Sequence, residues 1–486
     1  MRITNMTRKL PIVLAAVLLW GAAAWAQQDT TQTPQEPPRT PPVPAFGEGP
    51  PPQQITQAPP VTSLDEASLE PAIAARSFLQ PGVHVVESVN SDLGTNGVVG
   101  ITRVLGSLDL LRLWSRYSFS LDYVGGLSLY SDQAGQPSQV HMMDASQRYS
   151  WRTGQIQVRD DLTYLPEGSF GFSGFGGAGG GSGGGLGTTN SFGSLGVDPR
   201  LTNGVSVDIR ESLTPRSSVT AAGGYTFTHF LNSSTPGNTG TIDSTQVSAQ
   251  AGYSHVLNRT DQLGLQYGYQ QFQFPTQGAG TIDSHTFQGI YEHQITGRMD
   301  LILGAGPQIT TIMVPATTIL NPNPPPPTIP VPANSTTRIS ASVRSSLRYR
   351  LPRASISLNY DRHTTAGSGI QLGSQSDIAR FTYGRPLSRL WNATADVGYS
   401  RHSALQSPKG NALGGVYQSG FGGAGVSRRL GRFFSLQLHY QYDYEYFNGH
   451  SCPAGLTCSS SINGHTLNRQ IGDITLSWHP APIKLD

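Results

Sequence analysis

FSLQLHYQYDYEY, residues Phe434 to Tyr446, alternates without a break. Phe434, Leu436, Leu438, Tyr440, Tyr442, Tyr444 and Tyr446 are apolar or aromatic, and Ser435, Gln437, His439, Gln441, Asp443 and Glu445 are polar. A period of two puts the two sets on opposite faces of one extended strand. At ~3.3 Å per residue the stretch is about 40 Å long. Tilted by ~40°, it rises about 30 Å, enough to cross an apolar band ~25 Å tall and reach an aromatic girdle on each side. Strands of soluble domains are usually about 5–6 residues long. An apolar face suited to lipid and a polar face suited to water predict one stave of a transmembrane β-barrel.

The pattern repeats along the chain. Tyr117, Phe119, Leu121 and Tyr123 alternate with Ser118, Ser120 and Asp122. Val205, Val207 and Ile209 alternate with Ser206, Asp208 and Arg210, and Leu263, Leu265, Tyr267 and Tyr269 with glutamines. Ile339 to Tyr349 alternates with a run of serines and arginines, and Trp391 to Tyr399 with Asn392, Thr394 and Asp396. One such segment is weak evidence, but a long series of them is the sequence signature of a membrane barrel. Short polar connections near Arg112–Arg116, Arg152–Gly154, Pro215–Ser217, Asn258–Asp261, Thr296–Met299, Leu351–Arg353, Pro386–Arg389 and Leu430–Arg432 each hold an arginine. They alternate with longer segments, as periplasmic turns alternate with external loops. The count gives 18 strands, with both ends on the periplasmic side, or 16 if the first hairpin stands outside the wall.

The rest of the chain agrees with an exported barrel. Among 486 residues, 37% are hydrophobic and 13% charged, with a net charge of +2, which speaks against a disordered chain and against a nucleic-acid partner. Residues 1–26 read as a signal peptide: Arg2, Arg8 and Lys9, then an apolar run, then Ala24-Trp25-Ala26. That run is short for the ~20 residues a spanning helix needs. Residues 27–63 are proline-rich and read as an unfolded periplasmic tail open to a periplasmic partner. Residues 64–80 read as a short helix or linker, 81–480 as the barrel and 481–486 as a C-terminal tail.

The last strand, Ile471 to Trp478, alternates Ile474, Leu476 and Trp478 with Asp473, Thr475 and Ser477. Here the chain resembles bacterial outer-membrane β-barrel proteins of the porin kind. In that family a terminal aromatic residue is recognised by the barrel-assembly machinery, so the resemblance implies this partner, an outer-membrane location and a lipid annulus. In this sequence eight residues, His479 to Asp486, follow the aromatic. The resemblance spans about Pro81 to Trp478 and points to no narrower family.

A barrel of ~16–18 strands leaves an aqueous lumen. Its candidate selectivity residues are Arg338, Arg344, Arg348, Arg350 and Arg380, with the carboxylates Asp396, Asp443 and Glu445. Asp122, Asp161 and Asp208 are further lumenal acids. Rings of charge of this kind bias which ions and solutes pass; the plainer reading is that they solvate the lumen or pair across strands. Cys452 and Cys458, with five residues between them in an exported chain, are expected to form a local disulfide bracing the last external loop rather than a metal site. Phe170 to Gly187 is glycine-rich, but it lacks the Lys-Ser/Thr of a phosphate loop. The histidines are scattered, with no H-E-x-x-H, so neither an enzyme nor a cofactor is expected. The leading expectation is a channel passing small polar or anionic solutes by diffusion, with oligomerisation left open. The alternatives are a barrel for export or attachment of polysaccharide or other envelope material, or a surface-adhesion barrel.

Overall fold

A computed structural model describes residues 77–91, 97–131, 137–165, 199–231, 242–275, 280–320, 328–367, 371–405, 414–450 and 465–485. The expected signal peptide, the proline-rich tail, the Phe170 to Gly187 segment and both cysteines lie outside them. Eleven strands come first: β1 (Phe78–Ser91), β2 (Val98–Leu113), β3 (Tyr117–Tyr130), β4 (Ser138–Ser150), β5 (Gly154–Leu165), β6 (Arg200–Thr214), β7 (Ser217–Phe230), β8 (Ser244–Val256), β9 (Asp261–Gln273), β10 (Thr281–Thr296) and β11 (Met299–Val314). A small hairpin of β12 (Thr317–Leu320) and β13 (Thr328–Val331) interrupts the series. The series resumes with β14 (Asn334–Leu351), β15 (Ala354–Thr365), β16 (Ser374–Pro386), β17 (Trp391–Ala404), β18 (Gly414–Arg429), β19 (Phe434–His450) and β20 (His465–Trp478), and a short β21 (Ile483–Lys484) ends it.

Every strand of the series pairs antiparallel with its neighbours, and β20 pairs back onto β1 from Val83↔Trp478 to Ser91↔Gln470. The sheet therefore closes into a barrel of 18 strands, with the first hairpin inside the wall. Closure removes the free edges that an open sheet of this length would expose. The eight short turns fall at the predicted short connections, and all sit on one rim. Gly431 makes the turn before β19 at a φ of 89°, in the left-handed region that glycine enters without a Cβ penalty.

Two boundaries differ from the sequence reading. Phe78–Gln80, grouped there with the helix or linker, are the first residues of β1. They pair with β2 from Phe78↔Leu111 to Gln80↔Asp109, and the returning C-terminal tail covers the other edge, Phe78 pairing with Lys484 and Leu79 with Ile483. The expected C-terminal tail, 481–486, holds the short β21, which pairs with the start of β1.

Side chains are sorted as the alternation requires. On the outside, Leu265, Val397, Leu438 and Ile474 are exposed, while inward-facing Ser88, Ser128, Ser206, Ser284 and Gln308 are buried. This inverts a soluble barrel, whose apolar residues turn inward. At the short-turn rim the arginines lie over aromatic rings: Arg112 over Trp114, Arg428 over Trp391 and Arg432 over Phe433, at 5.5, 5.1 and 5.4 Å from the ring centroids. Trp151 donates from Nε1 to Glu211 Oε2 at 2.7 Å on the same rim. Near the closure, His84 bonds Ser477 and Ser107 at 2.8 and 2.9 Å and meets the His479 ring edge-on. His479 lies past the last wall strand, and burial holds its imidazole below the ordinary value.

Candidate functional site: the charged lumen wall

The inward face of β14 carries the basic ladder. Ile339 is 76% exposed on the outside, whereas Ser342 and Ser346, of opposite parity, are buried. Arg338, Arg344, Arg348 and Arg350 share the serines' parity and so face the lumen. They span β14 from the long-loop end to the short-turn end. Arg338 donates to the Leu405 carbonyl at 3.1 Å. Arg344 stands directly beside Asp361 of β15, and Arg348 beside Ser357. Arg350 reaches Asp300 at 3.9 Å.

Arg380 is a different case. It lies on β16 and forms a two-pronged pair with Asp396 of β17, Nε lying 3.1 Å from each carboxylate oxygen. Bidentate pairing of this kind largely cancels the charge seen from a distance. The ladder proper is therefore β14 alone. Asp443 and Glu445 face the lumen on β19 and are buried. Asp443 accepts from Gln441 Nε2 at 2.6 Å and stands opposite Arg469, and Glu445 stands opposite Ser419.

The register reveals a feature that sequence reasoning caught only in part. Asp109 of β2 pairs with Asp122 of β3, Asp122 with Asp144 of β4, and Asp144 with Asp161 of β5. All four share the parity of buried inward residues on their strands: Arg103, Ser128, Val140 with Met142, and Gln157. Four carboxyl groups thus stand side by side across four strands at one level of the wall. Directly opposed residues of an antiparallel pair are ≈ 4.5–5.5 Å apart at Cβ, and like charges there are destabilising. A packing role would not select them. Arg148 and Arg159, nearer the short-turn rim, are turned to other partners: Arg148 donates to Gln157 at 3.3 Å, and Arg159 lies 3.8 Å from Asp208.

The acidic row and the basic ladder are placed across from each other. In the closed ring β14 is the twelfth wall strand, eight or nine strands round from β3 and β4, where nine is half-way. With strands ~4.8 Å apart and tilted ~40°, the backbone ring is about 35 Å across. Asp109 and Asp144 escaped the sequence reading because neighbouring residues blur the alternation. Asp109 sits in Leu108-Asp-Leu-Leu111, and Asp144 follows two adjacent methionines, Met142 and Met143.

No family model and no curated protein matches the sequence. Among solved structures, the chain is similar to the open form of the ferric-catecholate import receptor Fiu from E. coli K12, at 9% identity and a TM-score of 0.42. That match covers 85% of this chain and 82% of the receptor. It is also similar to the outer membrane protein opdK from Pseudomonas aeruginosa, at 10% identity, a TM-score of 0.39 and coverage of 83% and 98%. A third likeness is to the copper transporter OprC, at 8% identity, a TM-score of 0.39 and coverage of 85% and 84%.

Proposed function

We propose that the protein is a bacterial outer-membrane channel that passes small polar and anionic solutes by passive diffusion through a water-filled lumen. The observation that carries this reading is the lumen wall, where the β14 arginine ladder stands opposite the four-aspartate row. Opposed charge of this kind sets up a field across the pore and orders dipolar and charged solutes as they pass. Three further features support it. The outside is apolar between aromatic rims, as a bilayer-facing wall must be. The short-turn rim carries arginines on aromatic rings, suited to headgroups on the periplasmic side. The ring size leaves room for water.

In this reading the N-terminal tail lies in the periplasm, and Trp478 with its strand engages the assembly machinery. The test is the reversal potential of the reconstituted protein under a KCl gradient. Replacing Arg344, Arg348 and Arg350 by glutamine should move selectivity away from anions. Replacing Asp122 and Asp144 by asparagine should move it toward them. No shift in either variant removes the charged wall from the account.

A further inference from the structure

The wall does not close evenly around β14. One edge of β14 is paired with β11 along its length, from Asn334↔Val314 to Tyr349↔Met299. On the other edge β15 pairs only from Leu351↔Ala354 to Val343↔Arg362. Among the described residues, nothing pairs with the second edge of Asn334–Ser342. The two strand tips then differ sharply in exposure. Asn334 to Ile339 are exposed on both faces, while His363, Thr364 and Thr365 are buried on both.

The contacts show where the β15 tip has gone. Thr364 alternates with outward-facing Leu358 and Tyr360, yet its hydroxyl bonds Thr310, an inward residue of β11, at 3.3 Å. Gln375 alternates with outward-facing Phe381, yet it accepts from Ser340, an inward residue of β14, at 2.9 Å. Leu405, just past β17, packs with the inward side chains Phe272, Ile282 and Ile312, and its carbonyl receives Arg338. Gly373, at a φ of 75°, lies against Ile282 so closely that a Cβ would collide with it. Outward groups of β15–β17 thus rest on inward groups of β9, β10, β11 and β14. Toward the long-loop rim the sheet overlaps itself as a scroll, with the tips of β15–β17 inside the lumen.

We propose that this overlap is a gate at the long-loop mouth, which opens when the tips leave the lumen and complete the β14–β15 ladder. The existing register continues directly into Ser342↔His363, Ala341↔Thr364 and Ser340↔Thr365. Faces match in every new pair: Ser342, His363, Ser340 and Thr365 share the inward parity, and Ala341 and Thr364 the outward parity. No strand has to slip or turn over. The unpaired β14 edge is then the landing site for a strand that is already in register. The apolar cluster around Ile282 and Leu405 is the latch that holds the overlapped state.

Two cysteine pairs test this, each built on a background with Cys452 and Cys458 replaced by serine and reconstituted in lipid vesicles. Ser340→Cys with Gln375→Cys spans the overlap. Ala341→Cys with Thr364→Cys spans the completed ladder, whose partners the overlap holds on opposite sides of the wall. A disulfide needs Cα atoms usually 4.4–6.8 Å apart, so each pair reports one state. Linked peptides are read by mass spectrometry after mild oxidation, independently of any channel activity. Both pairs should link, and adding Leu405→Ala should raise the yield of the ladder pair at the expense of the overlap pair. Linking of the overlap pair alone would show that the tips never leave. Linking of the ladder pair alone, or of neither, would show that the scroll is not the resting wall. The conductance arm rests on the channel reading: the ladder-locked barrel should conduct more than the overlap-locked one, and a reductant should abolish the difference. If no variant conducts, the channel reading fails while the cross-linking still decides the gate.

Discussion

Two adjacent residues of β19 give the sharpest test of which face meets lipid. Leu438 is 45% exposed on the outside, and Gln437 beside it faces the lumen. The exposed rings of Phe434 and Tyr444 lie below and above Leu438 on the same face. At ~3.3 Å per residue and a ~40° tilt, those rings are about 25 Å apart along the membrane normal, the height of the apolar band. Leu438 is therefore within a few ångströms of the midplane. An arginine on the lipid face at that depth costs ≈ 2–4 kcal/mol, whereas a lumen position is open to water. Leu438→Arg should lose about that much stability in reversible urea unfolding from lipid vesicles. Gln437→Arg should stay within about 1 kcal/mol of the parent, since the lumen solvates it. Equal costs, or the larger cost at Gln437, would refute the assignment of faces and with it the membrane barrel.

Other outcomes follow from the same structure. Asp144→Asn relieves the like-charge contact with Asp122, and should raise unfolding stability by about 0.2–1 kcal/mol in the same assay. Arg428→Ala, which removes the guanidinium from the Trp391 face, should cost about 0.5–1 kcal/mol and blue-shift or quench the tryptophan emission differently from the parent. Gly431→Ala forces a Cβ into a left-handed turn and should destabilise by about 1–2 kcal/mol, visible as faster unfolding. The expected Cys452–Cys458 bridge predicts a mass increase of two hydrogens on reduction, with free thiols in the untreated protein as the contrary result.

The wall was legible because a period of two is a local signal. Tyr440 and Gln441 declare opposite faces wherever the strand sits, and a short turn such as Leu430–Arg432 fixes where one strand ends and the next begins. The start of β1 was not, because Phe78 is strand through pairing with Leu111 on one edge and with Lys484, some 400 residues away, on the other. The acidic row needed register as well as parity. Asp109, Asp122, Asp144 and Asp161 are spread along the chain and meet only when four hairpins align. The scroll was hardest, since nothing local says that the β15 tip leaves β14. Its trace in the sequence is polar residues at outward positions near the long-loop ends of β15 and β16: Arg362, Thr364, Gln375 and Asp377. An outward run of that polarity does not suit lipid, and the structure buries Thr364 inside instead.

The central claim is a water-filled lumen lined by opposed charge, and single-channel recording in planar bilayers tests it most directly. The account predicts stable open steps in KCl, with an ion preference at 0.1 M that weakens at 1 M as the Debye length falls from ≈ 10 Å to 3 Å. A reconstituted, folded barrel that gives no steps would contradict it.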